Sequence, residues 1–158
     1  MTIQMRRGRA AAGVAAVLAL AACDVTGPDV QAQLMRQLRT HEALWAEKGS
    51  ETYSIRVELH CACTDPYDVE LQVVDGEVVS GVHVFSGDVL TPDELADQLT
   101  VLEFFDVVED ALNRRVAGVS ISYDQDIGYV QHMYIDYNGG ATSDDVEYFI
   151  SEYTPESN

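Results

Sequence analysis

Apolar and polar positions alternate legibly along this chain. Val30, Leu34, Leu38 and Trp45 fall near one face of a 3.6-residue repeat. That spacing predicts a helix from about Val30 to Glu47, with Gly49 just past its end as a C-cap. Tyr53, Ile55, Val57, Leu59 and Cys61 then alternate with Ser54, Arg56, Glu58 and His60, the period-two signature of a strand with one buried face. Val69, Leu71 and Val73 predict a second strand. Asp75-Gly76 is a tight-turn signal, and Val78 to Phe85 continues as a third.

Two capping-box spacings follow, Thr91 to Glu94 and Thr100 to Glu103. The first, with Pro92 at the start, opens a short helical turn. The second opens a longer helix through Phe104, Phe105, Val108, Ala111 and Leu112 to Arg114-Arg115. Its acids come early and its basic pair late, as the helix dipole favours. Gly118 to Tyr123, Tyr129 to Tyr137 and Val146 to Tyr153 predict three more strands. The order is α-β-β-β twice, which implies a possible αβββ duplication, although the halves share no convincing residue identity. Short connections favour antiparallel pairing. The expected fold is α+β: an antiparallel sheet of about six strands with two main helices on one face. Helix-plus-meander units in this order resemble the PepSY and beta-lactamase-inhibitor-protein-like folds, a likeness of topology that carries no activity.

The first 22 residues follow a different pattern. They hold no acid, carry Arg6, Arg7 and Arg9, and continue into an apolar run from Ala10 to Ala22. That run is too short to span a bilayer and right for the core of a signal peptide. It ends in Leu20-Ala21-Ala22-Cys23, which resembles the lipobox of bacterial lipoproteins. The resemblance implies cleavage before Cys23, diacylglycerol on its thiol and usually a further acyl chain on the new amino terminus. Two or three chains hold far more firmly than one. Gly8 and Arg9 after Arg6-Arg7 depart from the twin-arginine pattern. Asp24 is similar to an inner-membrane retention signal of enterobacterial type. The expected organisation is therefore 1–22 signal peptide, 23–29 lipidated tether, 30–153 a single α+β domain and 154–158 a flexible tail. The expected location is the bacterial cell envelope, lipid-anchored and exported.

Charge sharpens this picture. The chain carries 27 acidic residues against 9 basic ones, a net −18. All the acids follow Cys23 and three of the basic residues precede it, so the cleaved chain carries −21. Lys48 is the only lysine. Such a surface excludes nucleic acid, which demands basic residues opposite phosphate. It also opposes electrostatic docking on anionic lipid. With 47% apolar residues the chain can still bury a core. Membrane association is expected through the lipid alone, with the acidic bias a partner surface or a solubility device.

Candidate chemistry is sparse. With Cys23 acylated, Cys61 and Cys63 remain in an oxidising compartment, which makes a structural disulfide the first candidate. Residues two apart in a strand share a side at a separation near the limit for a bridge, so a kink is required, and Asp65-Pro66 lies just downstream. Two reduced thiols, a redox pair or a metal site stay open. Alternation places His60 on the polar face, away from the cysteines. Asp124-Gln125-Asp126-Ile127-Gly128 has alternate acids and a Gly but lacks the third acid and distal Glu of an EF-hand. Asp124 and Asp126 are thus a weak calcium candidate, joined only if Asp136, Asp144 and Asp145 converge on them; a polar hairpin turn is the plainer reading. Six of eight tyrosines lie from Tyr123 onward, placed for cross-strand packing or a peptide or glycan platform. His132, Tyr134 and Asp136 share a face and form the first candidate ligand patch. Ser120 and Ser122 lack a nucleophile-elbow turn, no phosphate-binding glycine loop is present, and no cofactor is implied.

Several local features together resemble a bacterial envelope lipoprotein family of unknown function. They are Trp45 and Tyr53 around the first strand, Cys61-Ala62-Cys63, Asp75-Gly76, Phe104-Phe105-Asp106, Tyr123-Asp124 before Gly128-Tyr129, Ile135-Asp136 and Asp144-Asp145. Val130 stands where that family is expected to have Pro. The resemblance brings no catalytic residues. The leading expectation is a non-enzymatic, lipid-anchored domain that binds or scaffolds an envelope protein or glycan. The rival expectations are a thiol-redox or metal-handling lipoprotein using Cys61 and Cys63, and an inhibitor of an envelope or secreted enzyme.

Overall fold

A computed structural model describes residues 28–62, 67–140 and 144–156. The signal-peptide segment, Cys23 and Cys63 lie outside the described residues.

Six strands form one sheet: β1 (Tyr53–Cys61), β2 (Tyr67–Val74), β3 (Glu77–His83), β4 (Gly118–Tyr123), β5 (Val130–Asp136) and β6 (Val146–Pro155). Their spatial order is β3-β2-β1-β6-β5-β4, antiparallel throughout. Each three-strand meander is local, while the central β1–β6 pair joins the first strand to the last. The expected α+β class is what the structure has. In chain order an αβββ unit occurs twice. In the sheet the second unit is shifted by three positions with every strand reversed. No rotation that keeps the helices on one face produces that, because a half-turn about the sheet normal would also reverse the strand order.

One face of the sheet makes the core. Tyr53, Ile55 and Val57 of β1, Val69, Leu71 and Val73 of β2, Met133 and Ile135 of β5, and Ile150 of β6 are buried. They are alternate residues, as period-two patterning requires. Over them lie α1 (Pro28–Lys48), the short α2 (Pro92–Ala96) and α3 (Val101–Arg114). Helix α3 buries Val101, Phe104, Phe105, Val108, Ala111 and Leu112, one stripe at helical spacing. Both capping boxes form as predicted. Thr91 and Thr100 accept from the N–H of Glu94 and Glu103, whose carboxylates accept in turn from the cap N–H. Asp75 (φ 53°) and Gly76 (φ 79°) form the expected turn, with both central residues at positive φ.

Boundaries move in places. Helix α1 starts at Pro28 and β6 runs to Pro155, so Thr154 and Pro155, expected in the tail, pair with Ser54 and Tyr53. Strand β3 ends at His83. Val84 to Gly87 turn back instead, with His83 N–H donating to Asp88 O at 2.9 Å and Gly87 N–H to His83 O at 2.8 Å. Gly49 is absent from the residues with positive φ. Its N–H does close onto Trp45 O at 2.7 Å, but the need for glycine is steric. A Cβ there would lie 2.5 Å from the Trp45 ring.

Candidate functional site

The other face of the sheet is covered by no described helix. Its outward residues follow from register. Tyr134, Glu147 and His60 lie side by side across β5, β6 and β1, and His132, Phe149 and Glu58 form the next row. Phe149 is half-buried between two imidazoles, with ring centroids 4.7 Å from His132 and 5.3 Å from His60. Each imidazole has a carboxylate: His132 Nε2 lies 2.8 Å from Glu147 and His60 Nε2 2.5 Å from Glu58. The other oxygen of Glu147 lies 4.0 Å from His60 Nδ1, so one carboxylate sits between both histidines. The result is an aromatic strip with an acidic border at the junction of the two meanders.

The predicted patch joins this strip at one side. His132, Tyr134 and Asp136 do share the outward face of β5, opposite Ser122, Ser120 and Gly118. They do not converge on one point. Tyr134 Oη donates to Asp145 at 2.8 Å, and Asp136 accepts from Gly139 N–H at 2.6 Å. The Asp145 contact, chiefly, pushes the Tyr134 hydroxyl up to about 12, so it stays a donor at neutral pH. Phe149, Glu58 and Glu147 extend the patch and were not singled out from sequence, and His60 joins them from the polar face on which alternation placed it. The alternation of Val146, Tyr148 and Ile150 inward carries the signal that Phe149 faces out.

Arg56 is the only Lys or Arg in the six strands. Its guanidinium makes two bonds to Asp68, at 2.8 and 2.7 Å, and one to Glu152 at 3.2 Å. A register shift between β1 and β6 and a positive φ at Glu152 put that third partner in reach. The one strand cation is thereby neutralised. Glu58, Glu70, Glu147 and Asp136 leave the open face negative.

The weak calcium candidate is a turn. Asp124 Oδ1 accepts from the N–H groups of Asp126 and Ile127 at 2.9 and 2.8 Å, and Oδ2 from Gln131 at 3.1 Å. Lys48 donates to Asp126 O at 3.0 Å. The imagined convergence with Asp136, Asp144 and Asp145 is corrected by the hairpin itself. Asp124 lies in the β4–β5 turn, while Asp136 pairs with Gly118 at the far end of both strands. Among the described residues no group of three or more His, Cys, Asp or Glu is arranged to hold a metal ion.

Most tyrosines pack in the core. Trp45, Tyr53, Tyr129 and Tyr153 form one cluster with ring centroids 5.4–5.5 Å apart, and Tyr148 meets Phe104 edge-on. Cys61 closes β1 at the end of the sheet where β6 begins; its predicted partner is outside the described residues.

The fold thus defines a small α+β domain with one packed sheet face and one open, acidic, aromatic-centred face. The chain belongs to a family of unknown function, DUF6174, whose model matches residues 37–155. The match spans all six strands and most of the helical layer. No curated protein matches the chain.

Proposed function

We propose that this chain is a lipid-anchored cell-envelope protein whose open sheet face binds a basic segment of another envelope protein. The observation that carries the reading is the face itself. Phe149 and its two imidazoles form an aromatic strip at the centre of the sheet, and carboxylates surround it. An aromatic centre with a charged rim is the composition of a binding patch. The rim has one sign, so a partner rich in Arg or Lys complements it and an acidic one is repelled. The anchor rests on the order of basic, apolar and small-Cys segments ending at Cys23. Cys61 and Cys63 supply a structural disulfide in this reading, locking the end of β1.

A photo-crosslinking residue at position 149 in the full chain tests the patch. The expected result is one envelope protein captured at 149 and not at Leu102, an exposed position far from the strip, with capture abolished by Glu147→Lys and Glu58→Lys. Capture insensitive to both reversals would overturn the charge argument, and capture of glycan alone would overturn the protein partner. Cys23→Ser is expected to release the chain from the membrane fraction. A thiol titration of the denatured, unreduced chain is expected to find no free thiol, and two free thiols would remove the disulfide. A reduction potential well above that of structural disulfides would instead favour the thiol-redox reading.

A further inference from the structure

The proposed anchor and the most exposed aromatic of the domain fall at one end of the sheet. Helix α1 begins at Pro28, five residues after Cys23. Five residues span at most about 18 Å. Gln31 Nε2 donates to Leu112 O at 2.6 Å, which sets the start of α1 beside the end of α3. At the opposite end, Val101 N–H donates to Tyr53 Oη at 3.0 Å, so α3 starts where β1 starts. The antiparallel ladders then place the ends of β1 and β3 at the α1 start. Just past the end of β3, the turn from Val84 to Gly87 carries Phe85, which is 101% exposed. Val89 behind it is 71% exposed. Arg114 and Arg115, exposed at the end of α3, lie at this end too.

A fully exposed phenylalanine at a turn tip forfeits the burial that its ring would gain elsewhere. The turn is held by its own backbone bonds, so the ring is not exposed through want of structure. We propose that this end of the domain rests on the bilayer that holds the lipid, with Phe85 seated among the lipid headgroups and upper acyl chains. The inference rests on the anchored reading and adds an orientation to it: the sheet stands with its strands pointing away from the membrane. The open face is then presented sideways and stays free. Asp29, Asp68, Asp88, Asp136, Asp144 and Asp145 lie at the same end, so the contact rests on Phe85 and Val89 and suits neutral lipid, with Arg114 and Arg115 meeting phosphate oxygens. An anionic bilayer weakens it.

The test uses the full chain, exported and acylated by a bacterial host, purified from membranes and checked for acyl mass. It is reconstituted in phosphatidylcholine vesicles whose chains carry bromine near the headgroup. Phe85→Trp adds a reporter at the tip and Leu102→Trp one at the opposite end; Leu102 is itself 58% exposed, so neither change disturbs the core. The native Trp45 is buried and shielded from a contact quencher. The expected result is that bromolipid extinguishes most of the added emission of F85W and leaves that of L102W. Acylated F85W that is unquenched, or quenched no more than L102W, overturns the orientation while leaving the anchor standing. Absence of acyl mass overturns the anchor and the orientation together.

Discussion

The two faces of the sheet are written with one period and opposite chemistry. On the covered face, β1 and β6 meet through Val57 and Ile150, both nearly inaccessible. One register step away on the open face the same strands present Glu58 beside Phe149 and His60 beside Glu147. The covered face is held by shape and apolar area, so its residues are interchangeable only at a cost in packing. The open face is held by pairs that water already satisfies in part, so it adds little to stability. Side chains that stability does not require are free to serve recognition. That contrast makes the strip around Phe149, not the tyrosine-rich core, the place to seek a partner.

The contrast is broken most directly by one substitution on each face. Phe104→Ala, 1% exposed and packed edge-on against Tyr148, is expected to cost about 3–5 kcal/mol in urea unfolding. Phe149→Ala, between its two imidazoles, is expected to cost on the order of 1 kcal/mol, the value of its ring contacts, and to abolish partner capture. Equal losses of stability would mean that the open face is a second core. Gly128→Ala is expected to come next, at about 2 kcal/mol or more. Its φ is +104° and its Cβ would stand 2.5 Å from His41 O, so the β4–β5 turn would have to leave α1.

These features differ in how far the sequence reveals them. Capping boxes and the Asp75-Gly76 turn depend on three or four adjacent residues and are read directly. Alternation tells which way each strand residue points, so the outward direction of His132, Tyr134 and Asp136 is legible. It does not tell which strand lies alongside. His60 and Phe149 meet only because β6 returns to pair with β1, a contact between residues about ninety positions apart. Gly49 sits where expected, just past the end of α1, but one letter stands for both a left-handed turn and a close approach, so the contact with the Trp45 ring was not legible. The acids around Asp124 and Asp136 look convergent in sequence, yet a hairpin of that length holds them at opposite ends.

Smaller effects sharpen the comparison further. Thr100→Ala is expected to cost about 1 kcal/mol, since it removes the cap of the helix that covers the sheet. Thr91→Ala, capping the short α2 with no buried residue, should cost less. A reversed order would show that α2, not α3, seals the core.

The smallest effects separate the faces by pH. On the covered side, His41 stacks flat on Tyr123 at 4.3 Å, and its Nδ1 has no hydrogen-bond partner among the described residues. Burial, outweighing the nearby Asp124, holds its imidazole below the ordinary value of 6.5. On the open side, the hydrogen bonds from Arg56 hold the Asp68 carboxyl below its ordinary 3.8. In both cases the unfolded chain takes up the proton first, so acid destabilises the fold. The His41 contribution is present above 6.5 and declines as pH falls through its lowered value; the Asp68 contribution is untouched there and declines only below 3.8. His41→Phe keeps the stack and removes the proton site. It is expected to flatten the loss of urea midpoint between pH 7 and 5 while leaving the loss near pH 3. Asp68→Asn is expected to do the reverse, by no more than about 1 kcal/mol for a pair this exposed. If His41→Phe left the slope between pH 7 and 5 unchanged, the imidazole would be fully hydrated in the folded chain and the α1–β4 seam would be open to water.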